Sequence, residues 1–194
     1  QLVVQTAPHI GNTGVNSEDA ESRRIWVAGY IVRDPSRVVS NWRANASLDE
    51  ILVQDDIVGI SGIDTRALTR HLRDRGAMRA GISTELDAGE LLARVTASPE
   101  MTGADLAPTV SAKEPYVVPA VGETRFRIAA LDLGIKTATP RSLAELGVET
   151  TVRPATATAE ELLAAGPDGV FVSNGPGDPA AADYAVAAVR GVLE

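Results

Sequence analysis

Apolar residues fall in short runs along this chain. The runs differ in style on either side of a Pro- and Gly-containing stretch, Val118 to Arg125 (VPAVGETR). On the N-terminal side they are irregular. QLVVQTA is strand-like from the first residue. Ile25 to Val32 (IWVAGYIV) is apolar at both alternating phases, which predicts a buried strand. Ser47 to Glu50 (SLDE) has the spacing of a capping box and predicts a short helix through Leu52. DIVGISGID reads as strand, then loop. Asp64 is placed to cap a helix from Thr65 to Arg75, with Ala67, Leu68, His71 and Leu72 on one face and Gly76 at its end. AMRAGIST, from Ala77, reads as a further strand. Asp87 and Glu90 frame another helix start, with Leu91, Leu92 and Val95 inward, and Ser98 to Pro115 is loop-rich.

Beyond the linker the pattern is regular. Phe126 to Leu133 predicts a strand, and Thr137 to Leu146 a helix closed by Gly147. Val148 to Val152 predicts the next strand, and Thr158 to Glu161 a second capping box opening a helix to Ala165. Gly169 to Ser173 is a third strand. Asp178 is placed to cap a last helix, with Pro179 at its first position. Strands alternating with helices imply a parallel sheet with right-handed crossovers, hence an α/β class. The expected division is 1–119 and 126–194.

Composition narrows the chemistry. The 194 residues carry a formal charge of -8, with 44% hydrophobic and 23% charged residues. That is a globular composition and the wrong sign for a nucleic-acid partner. No apolar run approaches the roughly 20 residues that span a bilayer, so no membrane partner is expected. No signal peptide opens the chain, and the expected location is cytoplasmic. There is no cysteine, which excludes disulfides, thiolate metal sites and a thiol nucleophile within these residues. The two histidines, His9 and His71, are too few for a His-rich metal site, and no metal site is expected. A strand-like start without methionine and a helix running to Glu194 suggest a piece of a longer protein.

The candidate chemistry lies in Ser173 to Pro179, SNGPGDP. It follows an apolar strand at the carboxyl edge of the presumed parallel sheet, where ligands bind in such folds. Glycine lets a ligand approach the backbone closely and tolerates positive φ. A following helix start adds unpaired N–H groups. The loop suits a carboxylate, a phosphate or a developing oxyanion. The plain alternative is a tight strand-to-helix turn. Neither of the common glycine-rich phosphate motifs is present.

SNGPGDP resembles the signature of the small, glutamine-hydrolysing subunits of carbamoyl phosphate synthetases. PHIGNTGVN at Pro8 to Asn16, GIDTRALTRHLRDRGAMRAGI at Gly62 to Ile82 and LDLGIK at Leu131 to Lys136 are similar to the same family, in the expected order. The resemblance implies an N-terminal swivelling β/β/α domain that packs on a large synthetase subunit. It implies next the first half of a flavodoxin-like class I glutamine amidotransferase domain. In that scheme a cysteine attacks the glutamine side-chain amide and a histidine–glutamate pair serves as base. The released ammonia passes to the large subunit, which joins it to bicarbonate using ATP and Mg, for arginine and pyrimidine synthesis. The resemblance assigns Gly175 and Gly177 to backbone contacts with bound glutamine, the Gly175 N–H helping to hold the oxyanion. It places the nucleophile and base beyond Glu194, so no catalytic residue is expected in this chain, which should be inactive alone. Where the family commonly has an asparagine two residues after Lys136, this chain has Ala138.

Other residues have plainer readings. His9 and His71 are expected to be structural, without an acid–base partner. Trp26 and Trp42 are expected to fill core or interface space. The arginines at 66, 70, 73, 75 and 79 read as a solvated face or as contacts to a large subunit. Lys136 reads as an anion site or a surface lysine. Asp178 is expected to shape the loop without touching substrate. Two rival functions stay open: another class I amidotransferase, and a non-catalytic scaffold that binds a large partner.

Overall fold

Four of the seven helices begin at a Ser, Thr or Asp whose side chain accepts a first-turn amide. Residues 1–194 are described in a computed structural model. In the first part of the chain the strands are β1 (Leu2–Val4), β2 (His9–Ile10), β3 (Gly29–Ile31), β4 (Asp34–Pro35) and β5 (Val58–Ile60), and the helices are α1 (Leu48–Gln54), α2 (Thr65–Arg75) and α3 (Ala88–Ala97). The Ser47 capping box is complete, Asp64 accepts from the Ala67 amide, and Asp87 accepts from Gly89 and Glu90. β1, β3 and β5 form a parallel sheet in that order, and β2 pairs with β4, also in parallel.

Several expectations for this part are corrected. The strand expected over Ile25–Val32 is confined to Gly29–Ile31. Trp26 stands outside it, with the Arg24 and Arg23 guanidinium groups 4.0 and 4.8 Å from its ring and its Nε1 donating to Ser22 Oγ at 2.9 Å. A cation over the ring and a hydroxyl at its edge satisfy this indole without a core. Trp42 is 93% exposed, so it fills no core. Ala77–Thr84 is not a strand, because no ladder partner reaches it. Its Arg79 donates instead to the Thr96 and Ser98 carbonyls at 2.7 and 3.0 Å, satisfying groups left over at the end of α3. The inner stripe of α2 is Thr65, Leu68, Thr69 and Leu72, while Ala67 and His71 are exposed. Leu92 of α3 is likewise exposed, and Leu91 and Val95 make the inner contact.

The second part contains α4 (Ala107–Val110), β6 (Tyr116–Val118), β7 (Phe126–Asp132), α5 (Ala138–Glu145), β8 (Val148–Pro154), α6 (Ala159–Leu163), β9 (Gly169–Val172) and α7 (Asp183–Leu193). The sheet order is β6-β8-β7-β9. β7 is parallel to both β8 and β9, while β6 is antiparallel to β8. Successive residues of β7 face opposite sides. Ala129 and Leu131 join Ala157, Leu162, Ala185 and Ala188 in the core beneath α6 and α7. Ala130 and its register partner Val152 are fully buried on the other side. The Thr158 capping box is complete and sets Leu162 into that core.

The sheet is therefore not purely parallel. β6 is an edge strand whose three residues lie between Pro115 and Pro119, and those prolines disguise it as linker. The compact units are Gln1–Met101 and Thr102–Glu194, so the division lies ahead of the expected 119/126 boundary. Specific bonds hold 107–118 to the second unit: the Ala112 amide donates to Asp132 Oδ2 at 2.8 Å and the Ala155 amide to Ser111 Oγ at 2.9 Å. Asp178 caps only a single 3-10 turn, Pro179–Ala181, and α7 begins separately at Asp183. No helix is long and apolar enough to cross a membrane.

Candidate functional site

β7 lies between β8 and β9, so the chain reverses its lateral direction across β7. A crevice at the carboxyl ends of two such strands is where open α/β sheets take ligands. The two loops are Asp132–Lys136 and Ser173–Asp178, both within the second unit.

Asp132 builds the first loop. It is 4% exposed, and its Oδ1 accepts from the Gly134 and Ile135 amides at 2.9 and 2.8 Å, while Oδ2 accepts from Ala112. Three amides on one carboxylate fix the turn. The buried Ser173 hydroxyl joins the loops. It accepts from the Leu133 amide at 2.9 Å and donates to the Asn174 carbonyl at 2.9 Å.

Gly175 follows, with a Cβ here directed into the Leu133 carbonyl oxygen. Gly177 adopts φ +98°, and a Cβ there would sit 2.6 Å from the Ala104 carbonyl oxygen. Both positions require glycine because the chain's own backbone fills the space a side chain would take. Gly177 bridges Asp105 in antiparallel fashion, with the ladder bond running from the Asp178 amide to the Ala104 carbonyl at 2.8 Å. The amides of Gly175 and Gly177 donate to no acceptor within the chain. Asp178 receives the Gly103 amide at 2.8 Å and the Ala180 amide at 2.9 Å, and these two donors, Gly103 first, hold its carboxyl below the usual carboxylate range.

Domain-family models match in two places: "Carbamoyl-phosphate synthase small chain, CPSase domain" over residues 1–82, and "Glutamine amidotransferase class-I" over residues 129–194. The second match contains both loops. Carbamoyl phosphate synthase small chains align along the whole chain. That of Streptomyces coelicolor is 62% identical over 197 residues and that of Streptomyces avermitilis 64% over 196, each alignment covering 100% of this chain and 52% of the relative. That of Mycobacterium tuberculosis H37Rv is 57% identical over 201 residues, covering 100% of this chain and 54% of the relative. The chain belongs to the carbamoyl phosphate synthase small-chain family.

This member of the family spans about half the length of the curated relatives it matches. Its sequence marks Gly175, Gly177 and Asp178, which share one loop. The marked motifs SNGPGDP and LDLGIK contain Ser173 and Asp132 without assigning either a role, and nothing marks the Gly103–Leu106 segment; all three shape that loop. Asp132 had a signal: an aspartate ending a strand one residue before Leu-Gly is a turn former. The 103–106 segment had none, because its partner is about 75 residues away in sequence. Lys136 is exposed. His9 does have a carboxylate partner, contrary to expectation: its Nδ1 lies 2.9 Å from Asp34 Oδ2 across the β2–β4 pair, with both side chains exposed. A depression of about 290 Å³ beside Tyr184 is lined by residues of neither loop.

Proposed function

We propose that this chain forms one wall of the glutamine site in a carbamoyl phosphate synthase small subunit. That subunit hydrolyses glutamine and passes ammonia to a large subunit, where bicarbonate, ATP and Mg are used. The observation that carries this reading is the state of Gly175 and Gly177. Their Cα faces are packed against the chain's own backbone, while their amides donate to nothing within it. Two uncommitted amides at the point where the strand order reverses suit an oxygen that gains charge.

The reaction needs such donors. A thiolate adds to the glutamine side-chain carbonyl carbon, and the carbonyl oxygen takes the electron pair. Collapse expels the nitrogen, which leaves as ammonia once protonated, and water then cleaves the thioester to glutamate. The thiol is not among residues 1–194, which contain no cysteine.

The test compares ammonia release from glutamine by the 194-residue chain with that by a polypeptide of the relatives' full length assembled with a large subunit. The short chain is expected to show background rates only. The assembled form is expected to turn over, and Gly175→Ala in it, whose Cβ would push the loop off the Leu133 carbonyl and misaim the retained amide, should lower kcat by up to about 10²–10³-fold, the scale of one oxyanion donor's contribution. Glutamine-specific turnover by the short chain, or an indifferent Gly175→Ala, would refute the reading.

A further inference from the structure

A loop with two glycines in three residues does not hold its own shape, because each glycine leaves the backbone free. The loop from Gly175 to Gly177 is held from two sides. On one side Gly175 rests on Leu133. On the other lies a strap, Gly103–Leu106, the stretch of the second unit just after its first residue, Thr102. The strap touches the loop at Gly177, accepts from the Asp178 amide through Ala104, and donates the Gly103 amide to Asp178 Oδ2. It is fastened a second time, since Tyr184 of α7 donates its hydroxyl to Asp105 Oδ1 at 2.9 Å. α7 is anchored by Ala185 and Ala188 in the core, so the latch ends on the rigid part of the unit.

We propose that the strap, with Asp178, Asp105 and Tyr184 as positioning residues, sets the aim of the Gly175 and Gly177 amides on the glutamine carboxamide. The inference deepens the glutaminase reading and rests on it. The physical reason is the steep dependence of oxyanion stabilisation on donor geometry, which must be held within about 0.5 Å. Asp178 alone shapes the loop locally, with Ala180. The strap adds a second tie, from the loop to the first turn of α7, beside the covalent path through Pro179–Ala182. Burial, and after it Asp105, push the Tyr184 hydroxyl up to about 12. It therefore stays a donor throughout the neutral range, and the latch does not loosen with pH there.

The test uses the assembled, glutamine-hydrolysing complex and reads kcat, KM for glutamine and the thermal midpoint. The variants are Asp178→Ala, Tyr184→Phe, Asp105→Ala and Asp105→Asn. Misaimed amides weaken a contact that strengthens in the transition state, so kcat falls while KM changes little. Asp178→Ala is expected to lower kcat by about ten- to a hundredfold. Tyr184→Phe and Asp105→Ala should produce smaller, mutually similar losses. Asp105→Asn keeps the acceptor oxygen and should recover most of what Asp105→Ala loses. A working complex indifferent to Tyr184→Phe and Asp178→Ala overturns the inference alone. So does a loss that follows only the thermal midpoint, with no separation of kcat from KM. An unsubstituted complex that releases no ammonia from glutamine overturns the glutaminase reading and the inference together.

Discussion

Asp178 shows how much one side chain decides at this site. Each of its two oxygens receives one amide, Gly103 on Oδ2 and Ala180 on Oδ1, and those bonds favour the ionised form. The folded carboxyl therefore titrates below its ordinary 3.8, and in that range the unfolded chain binds the extra proton. The stabilisation is present above 3.8 and lost as pH falls through the lowered value. Asp178→Asn should thus melt below the parent at neutral pH, with the difference shrinking once pH drops past 3.8. A difference that stays constant through the acid limb of thermal melts would show that the two bonds are not charge-assisted. The glycines nearby teach a related lesson. That Gly175 and Gly177 need to lack a Cβ is readable from SNGPGDP. What occupies that space, the Leu133 and Ala104 carbonyls, is not, because those residues lie far off in sequence.

Among the elements, those set by local chemistry were legible. Both capping boxes form as spaced, since a Ser or Thr side chain and a Glu three residues on need no distant partner. β7, β8 and β9 were legible because their apolar runs are bounded by helix caps and glycines. Ala77–Thr84 has comparable composition yet stays unpaired, since a strand exists only where a ladder partner arrives. The start of α7 was misplaced for a similar reason. Asp178 has the composition of a cap, but the turn it caps stops after three residues. The box at Thr158 permits a direct measure. Thr158→Ala should destabilise the protein by about 1 kcal/mol, because α6 is short and Leu162 depends on its first turn. Urea unfolding of the variant checks this, and an unchanged midpoint would mean that packing alone holds α6.

On the scale of the molecule, the boundary between units matters most. Composition places it at the Pro/Gly-rich stretch from Val118, whereas contacts place it between Met101 and Thr102. The difference moves α4, β6 and the strap into the unit that carries the candidate site. A piece comprising 102–194 should therefore protect the β7 and β8 amides from exchange better than a piece comprising 126–194. The shorter piece bares the β8 edge and leaves Asp132 without the Ala112 amide. Equal protection in the two pieces would show that 102–125 contributes nothing to the unit.

From sequence alone came the α/β class, the helix starts, three parallel strands and a glycine loop shaped for close backbone approach. Each is a short-range property: side-chain spacing, capping chemistry, the absence of a Cβ. Tertiary structure decided the reversal of strand order between β7 and β9, the antiparallel edge strand, and the strap that meets Gly177. These are pairings between segments tens of residues apart. Their free energy lies in contacts and shared hydrogen bonds that no local window of residues contains.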